Sequence, residues 1–134
     1  MSTSGSARND GTQSVSYIGK DITFATVNIG TADKVKVGRI PAGSFIIAAY
    51  VRVTTAFNAA TTNVLTVGQN STANTDIVAA GELNEAVTGV TVVLTGNALT
   101  FANDTDIYVR YTQSGTAATT GAATIVITYI SPNW

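Results

Sequence analysis

The sequence of 134 residues contains no cysteine and no histidine. Without cysteine, the chain forms neither a disulfide nor a thiolate nucleophile, which fits a protein that folds in a reducing compartment. Without histidine, the Ser-His-Asp and Cys-His catalytic systems are excluded, as is every zinc site that needs either residue. No phosphate-binding motif of the GxxxxGKS/T or GxGxxG type occurs either. We therefore expect a protein that is not an enzyme and has no catalytic residues, cofactor or metal site.

Charge is also scarce in this chain. Asp, Glu, Lys and Arg make up 11% of the residues, against roughly 25% in an average soluble domain. The net charge of −1 and the pI near 5.0 lack the basic footprint of a nucleic-acid-binding protein. The first residues contain no apolar leader, and no uncharged apolar run reaches the roughly 20 residues that a membrane helix needs. We expect neither nucleic acid nor a membrane as a partner, and synthesis in a cytoplasm.

The longest apolar stretch covers residues 40–58, with the sequence IPAGSFIIAAYVRVTTAFN. Pro41 has a fixed φ and Gly43 tolerates positive φ, so these residues predict a bend from which a strand begins. Apolar side chains then recur at every second position, as in a half-buried strand. The pattern places Phe45, Ile47, Ala49, Val51 and Val53 inward, and Tyr50, Arg52 and Thr54 outward.

Other short runs rich in Val, Ile, Thr and Tyr predict further strands on both sides of this one. Only residues 81–89, GELNEAVTG, permit a helical turn. Lys34 and Lys36 alternate outward, which suits a strand at the edge of a sheet. The predicted strands cover residues 14–18, 21–29 (separated by a bulge or hairpin at 19–20), 34–39, 63–67, 76–80, 90–95, 98–101, 106–112 and 123–130.

Eight or nine strands with short turns and almost no helix predict an all-β fold. The arrangement that fits best is an antiparallel two-sheet β-sandwich of the jelly-roll type, with an immunoglobulin-like sandwich as the alternative. Residues 1–13, MSTSGSARNDGTQ, are almost entirely polar, so we expect a flexible N-terminal arm. Residues 14–134 then form a single β-sandwich domain.

Two groups of acidic and amide residues are weak candidates for chemistry. Glu82 and Glu85 are the right residue types for glycoside cleavage, but their spacing of three in one loop favours solvated turn carboxylates. Asn103, Asp104 and Asp106 offer oxygen ligands of the kind that calcium prefers, yet the rest of a calcium loop is missing. Side-chain hydrogen bonding within a turn explains these three residues better.

Five residues are candidates for a protein–protein interface. Phe57 follows the central strand and Trp134 ends the chain, positions where an aromatic ring either plugs the open end of a sandwich or anchors a partner. Arg52 and Arg110 lie on strand faces opposite the predicted core, either solvated or paired with Asp76 or Asp106. The predicted interface residues are Phe57, Trp134, Tyr50, Arg52 and Arg110.

Two segments within residues 34–130 resemble the small structural proteins of tailed bacteriophages. They are IPAGSFIIAAYVRVTTAFNAATTNVLTVG, with its I-P-A-G, T-x-F-N and L-x-V-G elements, and TDIYVRYTQSGTAATTGAATIVITY, with its D-x-Y-V-x-Y strand. The resemblance implies a jelly-roll cement or decoration protein that stabilises a capsid from outside by binding across major capsid subunits. It also implies assembly as a dimer or trimer. The alternatives are a head-fibre or tail component, or a module that binds a receptor or carbohydrate.

Overall fold

The computed structural model describes residues 15–30, 33–69, 74–94 and 100–131, which contain seven β-strands. Branched and aromatic side chains dominate these strands because they pack well on a pleated surface. The described residues contain no helix, and therefore none that could cross a membrane. The strands are β1 (Val15–Thr23), β2 (Val35–Ile40), β3 (Phe45–Thr55), β4 (Thr62–Gly68), β5 (Gly89–Leu94), β6 (Thr105–Ser114) and β7 (Ala122–Ile130).

The strands form two antiparallel sheets with the orders β1-β7-β3-β5 and β2-β6-β4. A further bridge joins Val67 of β4 to Val78, where a fourth strand of the second sheet would run. If this bridge counts as the fifth strand of eight, the sheet orders become 1-8-3-6 and 2-7-4-5, which is the order of a jelly roll. The predicted two-sheet sandwich is confirmed. The immunoglobulin-like alternative is wrong, because its first two strands pair, whereas β1 and β2 lie in different sheets.

The core lies between the two sheets and is built from the inward side chains of every strand. Inward residues of β6 and β7 are fully buried at alternate positions, as their period-two pattern predicts. Leu65 of β4 also points inward, with none of its surface exposed. The inward residues of β6 and β7 are Ile107, Val109, Tyr111, Ile125 and Ile127.

A β-bulge in β3 changes the predicted faces of its first half. The register against β7 shifts between Ile46 and Ala48, so one extra residue interrupts the alternation of side chains. As a result Ile46 is buried and Ile47 is exposed, the reverse of the prediction for Ile47. After the bulge the alternation resumes, and Val51 and Val53 point inward as predicted. The bend before β3 is also confirmed, with Gly43 at a φ of 78°.

β1 is one continuous strand, whereas the sequence predicted an interruption at residues 19–20 and a second strand to residue 29. It pairs with β7 residue by residue from Val15 to Thr23. The chain turns after Thr23, whose amide donates to the Thr26 hydroxyl at 2.8 Å and whose carbonyl accepts from the Thr26 amide at 3.2 Å. Threonine side chains therefore end the strand by competing for the backbone groups of their neighbours.

β2 is an edge strand, as predicted, but Lys34 does not point into solvent. Lys34 is buried and adopts a positive φ of 58°, so it precedes the strand and lies outside its alternation. Val35 and Val37 point into the core and Lys36 is exposed, as predicted. The positive φ at Lys34 is the feature that the period-two pattern missed.

The segment between β4 and β5 contains less regular structure than predicted. The strand predicted over residues 76–80 is reduced to the bridge at Val78, and residues 81–88 form turns in place of the predicted helical turn. Another strand was predicted after β5, over residues 98–101. Of its described residues, Thr100 forms a bridge to Phe45. The predicted arm over residues 1–13 lies outside the described residues, as do residues 95–99.

Replacing a side chain between the sheets should cost far more than replacing an exposed one of similar chemistry. Ile127 has none of its surface exposed, so Ile127→Ala should lower the free energy of unfolding by about 2–4 kcal/mol. Val87 is 57% exposed, and Val87→Ala should change it by less than about 0.5 kcal/mol. Urea unfolding measures both variants, and equal effects would show that the inward face of β7 is wrongly assigned.

Candidate interaction surfaces

Four connections meet at one end of the sandwich, because the register aligns the strand ends from which they leave. Ala122 pairs with both Thr23 and Thr55, and Val53 pairs with Gly89. We call this surface the loop end. It consists of residues 24–30, 56–61, 79–88 and 115–121.

Phe57 lies under the loop end and is only 2% exposed. Its ring centroid is 4.7 Å from that of Tyr111, and the backbone of Gly121 crosses directly over it. A Cβ atom at Gly121, where φ is 146°, would overlap the Phe57 ring, so this close approach requires glycine. The burial of Phe57 therefore supports the role of filling the open end of the sandwich over that of anchoring a partner. Trp134 lies outside the described residues.

A side-chain amide holds two loops of the loop end together. Asn58 Oδ1 accepts hydrogen bonds from the amides of Thr119, at 2.8 Å, and Thr120, at 2.9 Å. Its Nδ2 donates to the Thr119 hydroxyl at 2.9 Å, and the Thr120 hydroxyl donates to the carbonyl of Ala56 at 2.9 Å. The loop over residues 115–121 is therefore bound to the loop after β3.

Glu85 is a structural residue of the same region and not the solvated carboxylate predicted from its spacing. Its side chain is buried, and Oε1 accepts from the Leu65 amide at 2.8 Å. Its carbonyl also accepts from the Phe57 amide at 2.9 Å. Glu82, by contrast, is exposed and accepts from the Ala79 amide at 2.7 Å within its own turn. At this point of the β4 edge, the Glu85 carboxylate accepts the hydrogen bond that a neighbouring strand would otherwise accept.

The Tyr111 hydroxyl takes part in a partly buried chain of hydrogen bonds beneath the loop end. It donates to Asn63 Oδ1 at 2.5 Å, and the Asn63 side chain also exchanges hydrogen bonds with the backbone of Ala59. Burial, followed by the negative charge of Glu85, raises the pKa of Tyr111. The phenol therefore stays a neutral donor, as this geometry requires.

The three residues considered as calcium ligands have separate structural roles. Asp104 Oδ1 accepts from the Ala42 amide at 2.8 Å, and the carbonyl of Asn103 accepts from the Thr105 hydroxyl at 2.8 Å. Asp106 lies between two cations, with Oδ1 at 2.8 Å from Arg39 Nε and 3.2 Å from Lys36 Nζ. Within the described ranges, no group of three or more acidic side chains is placed to hold a metal ion.

The two predicted arginines lie on opposite faces of the molecule. Arg110, on β6, is half-buried, and its Nε has no hydrogen-bond partner among the described residues. Neither acidic residue considered for it pairs with it within the chain: Asp76 Oδ2 accepts from Gln69 Nε2 at 2.7 Å, and Asp106 binds Arg39 and Lys36. Arg52, on β3, is exposed on the outer face of the other sheet.

That outer face of the β1-β7-β3-β5 sheet is the second candidate surface, which we call the apolar face. Tyr50 and Arg52 are the two predicted interface residues that it brings together. A groove of about 440 Å³ runs along β7, between β1 and β3. The sequence predicted only Tyr50 and Arg52 as interface residues of this surface. The signal for the rest of it was the apolar residues at every second position of strands that the sequence had already predicted. The groove is lined by Val15, Ser16, Tyr17, Tyr50, Val126 and Thr128, and β5 adds Val90 and Val92, 62% and 51% exposed.

Comparison with solved structures finds the same architecture in phage particles. A chain of the cyanophage Pam1 capsid asymmetric unit superposes with a TM-score of 0.69 at 20% identity, covering 98% of both chains. A chain of the capsid of Ralstonia phage GP4 superposes with a TM-score of 0.62 at 16% identity, covering 95% of this chain and 90% of that one. This chain shares its fold with chains of phage capsids. No protein-family model and no curated protein matches the sequence.

Removing the Glu85 carboxylate should destabilise the protein, because it leaves the buried Leu65 amide without an acceptor. We expect Glu85→Ala to lower the free energy of unfolding by about 1–3 kcal/mol. Glu85→Gln, which keeps an oxygen acceptor, should recover part of that loss. The matched control is Glu82→Ala. The Ala79 amide that donates to Glu82 is at the surface, so water can replace the lost acceptor. Equal effects of the two alanine variants in urea unfolding would contradict the role given to Glu85.

The Asp106 carboxylate should titrate below the ordinary range of aspartate. The hydrogen bond from Arg39 is the largest cause that lowers its pKa, and Lys36 adds to it. Asp106 therefore stabilises the fold above the unfolded pKa of about 3.9, and this contribution is lost as pH falls through the lower folded pKa. NMR titration of the carboxyl carbon should show the pKa rising toward the ordinary value in Arg39→Gln, and rising less in Lys36→Gln. An unchanged pKa in Arg39→Gln would contradict the pairing.

Proposed function

We propose that this chain is a structural protein of a phage particle, which cements the capsid from outside by binding across neighbouring major capsid subunits. The observation that carries the proposal is the likeness to chains of two phage capsids over nearly the full length of both partners. A jelly roll by itself hosts many functions. Here, however, both similar chains come from the same kind of particle.

The distribution of polar groups supports a structural role over a catalytic one. The carboxylates that were candidates for chemistry accept hydrogen bonds that hold the fold together: Glu85 from Leu65, Asp104 from Ala42, and Asp106 from Arg39. Among the described residues that line the apolar groove, the hydroxyls of Tyr17 and Tyr50 are the only titratable groups. No carboxylate or lysine, the commoner general acids and bases available to this chain, lines it there.

The loop end suits binding to a shell. Asn58, Thr119 and Thr120 are exposed there, and the hydrogen bonds between their loops fix the backbone before any partner arrives. A surface ordered in advance loses little conformational entropy on binding. Each contact with a capsid subunit can be weak, because contacts to several subunits of one shell act together through effective concentration. We propose that the loop end faces the shell.

Binding to heads that lack the protein tests this proposal. Purified protein mixed with such heads should reach saturation at one class of symmetry site and raise the temperature at which the heads rupture. Ala117, at the exposed tip of the loop end, has a matched control in Ala102, exposed at the opposite end. Ala117→Arg should bind at least tenfold more weakly and Ala102→Arg should bind like the wild type. No binding by the wild type would refute the capsid role, and equal binding by both variants would refute the loop end as the contact.

A carbohydrate-binding module is the second candidate, and one observation favours it. Tyr17 and Tyr50 flank the groove along β7, and aromatic rings beside a groove are suited to packing against a sugar ring. A glycan array distinguishes the two functions. Specific glycan binding that Tyr50→Ala abolishes would favour the module, and the absence of any signal would leave the capsid role.

A further inference from the structure

We infer that the apolar face binds a second copy of this chain, face to face, around a two-fold axis that runs along β7. The face carries aromatic and aliphatic side chains with much of their area in solvent. Tyr17 is 71% exposed, Val90 62%, Val15 57%, Val92 51% and Tyr50 37%. Such a contiguous apolar area on a folded chain marks an interaction site. This inference does not depend on the capsid role.

The first complementary feature is a projection and a gap placed symmetrically about β7. Val126 of β7 pairs with Gly19 on one side and with Tyr50 on the other. Gly19 has no side chain, so the surface over β1 is low at this point, while Tyr50 projects from β3. Neighbouring strands lie about 4.8 Å apart, so gap and ring are equally distant from β7. Rotation by 180° about β7 places each copy's Tyr50 over the other copy's Gly19.

The second complementary feature is a pair of opposite charges with the same placement. Thr124 of β7 pairs with Asp21 of β1 and with Arg52 of β3. Both charged residues are exposed. The Asp21 carboxylate accepts from the Thr124 hydroxyl at 2.6 Å, and the Arg52 side chain contacts no acidic group among the described residues. The same rotation therefore brings Asp21 of each copy against Arg52 of the other.

A second copy explains the face better than an unrelated partner does, because both features complement themselves. In a two-fold interface each contact occurs twice, so the dimer contains two Tyr50–Gly19 contacts and two Asp21–Arg52 pairs. Sheets packed face to face keep their strands about 30° apart. When the two-fold axis is tilted from β7 by about half that angle, the strands of the two copies cross at about 30°, which matches the twist of the sheets. Val126 and Thr128 of the two copies then meet near the axis.

The size of the face predicts a weak dimer. Rotation about β7 sets β1 and β3 of each copy against β3 and β1 of the other and leaves β5 at the rim. Three facing strands and about six residues along each give an area of roughly 15 Å by 20 Å. Stable specific interfaces bury roughly 800 Å² on each partner, so this face is smaller than such an interface. We expect a dissociation constant on the order of micromolar to tens of micromolar.

Charge reversal and its rescue test this arrangement. Sedimentation equilibrium of the full chain, from 1 µM to about ten times the expected dissociation constant, should show a monomer–dimer equilibrium. Arg52→Asp places two like-charged pairs across the interface and should weaken the dimer at least tenfold. The double variant Arg52→Asp with Asp21→Arg should restore the wild-type affinity. Lys36→Glu, on the outer face of the other sheet, is the control and should leave the affinity unchanged.

Tyr50→Ser provides a second test that involves no charge, and it should also weaken the dimer at least tenfold. All these positions are exposed, and a thermal melt checks that each variant folds. A monomer over the whole concentration range, a trimer, or a dimer that is unaffected by Arg52→Asp would overturn the inference. So would a dimer that the double variant fails to restore. A monomer whose Tyr50→Ser variant loses binding to heads would assign the face to another protein.

Discussion

The packing of the two sheets against each other is the interaction on which the rest of the structure depends. Ile125 and Ile127 of β7 and Ile107 and Val109 of β6 lie in the central strands of the facing sheets, with none of their surface exposed. Neither sheet could bury its apolar face alone, and without disulfides this burial is the main source of stability. This burial also fixes the register of the strands, and the register determines which outward side chains lie beside each other and where the loops begin.

Sequence patterns predicted the sheets well where the side-chain alternation is unbroken, and failed where the backbone leaves it. The faces of β6 and β7 are as expected because no bulge interrupts them. In β3, one extra residue near Ile47 reversed the face of that side chain, and the positive φ of Lys34 removed it from β2. A bulge or a positive φ at a residue other than glycine depends on the neighbouring strand, which the local sequence does not show.

The polar interactions of the loop end were harder to predict than the core. Glu85 meets Leu65 from 20 positions away, and Asn58 meets Thr119 from 61 positions away. Such hydrogen bonds form only after the sheets have brought distant loops together. The apolar face is different, since Val90 and Val92 share one face of β5 and Val15 and Tyr17 share one face of β1. The shared face of each pair can be read from the sequence. Only the sheet order shows that the outer sides of β1, β7, β3 and β5 form one surface.

We propose two separate surfaces for assembly, a polar loop end and an apolar side. A protein that joins a shell needs contacts with the shell, and contacts between its own copies strengthen the attachment. The most direct measurement is a cryo-electron microscopy map of heads saturated with this protein. The proposed function predicts jelly-roll density outside the shell, with residues 56–61 and 115–121 contacting two major capsid subunits. Density that contacts the shell only through the opposite end, or heads without added density, would contradict it.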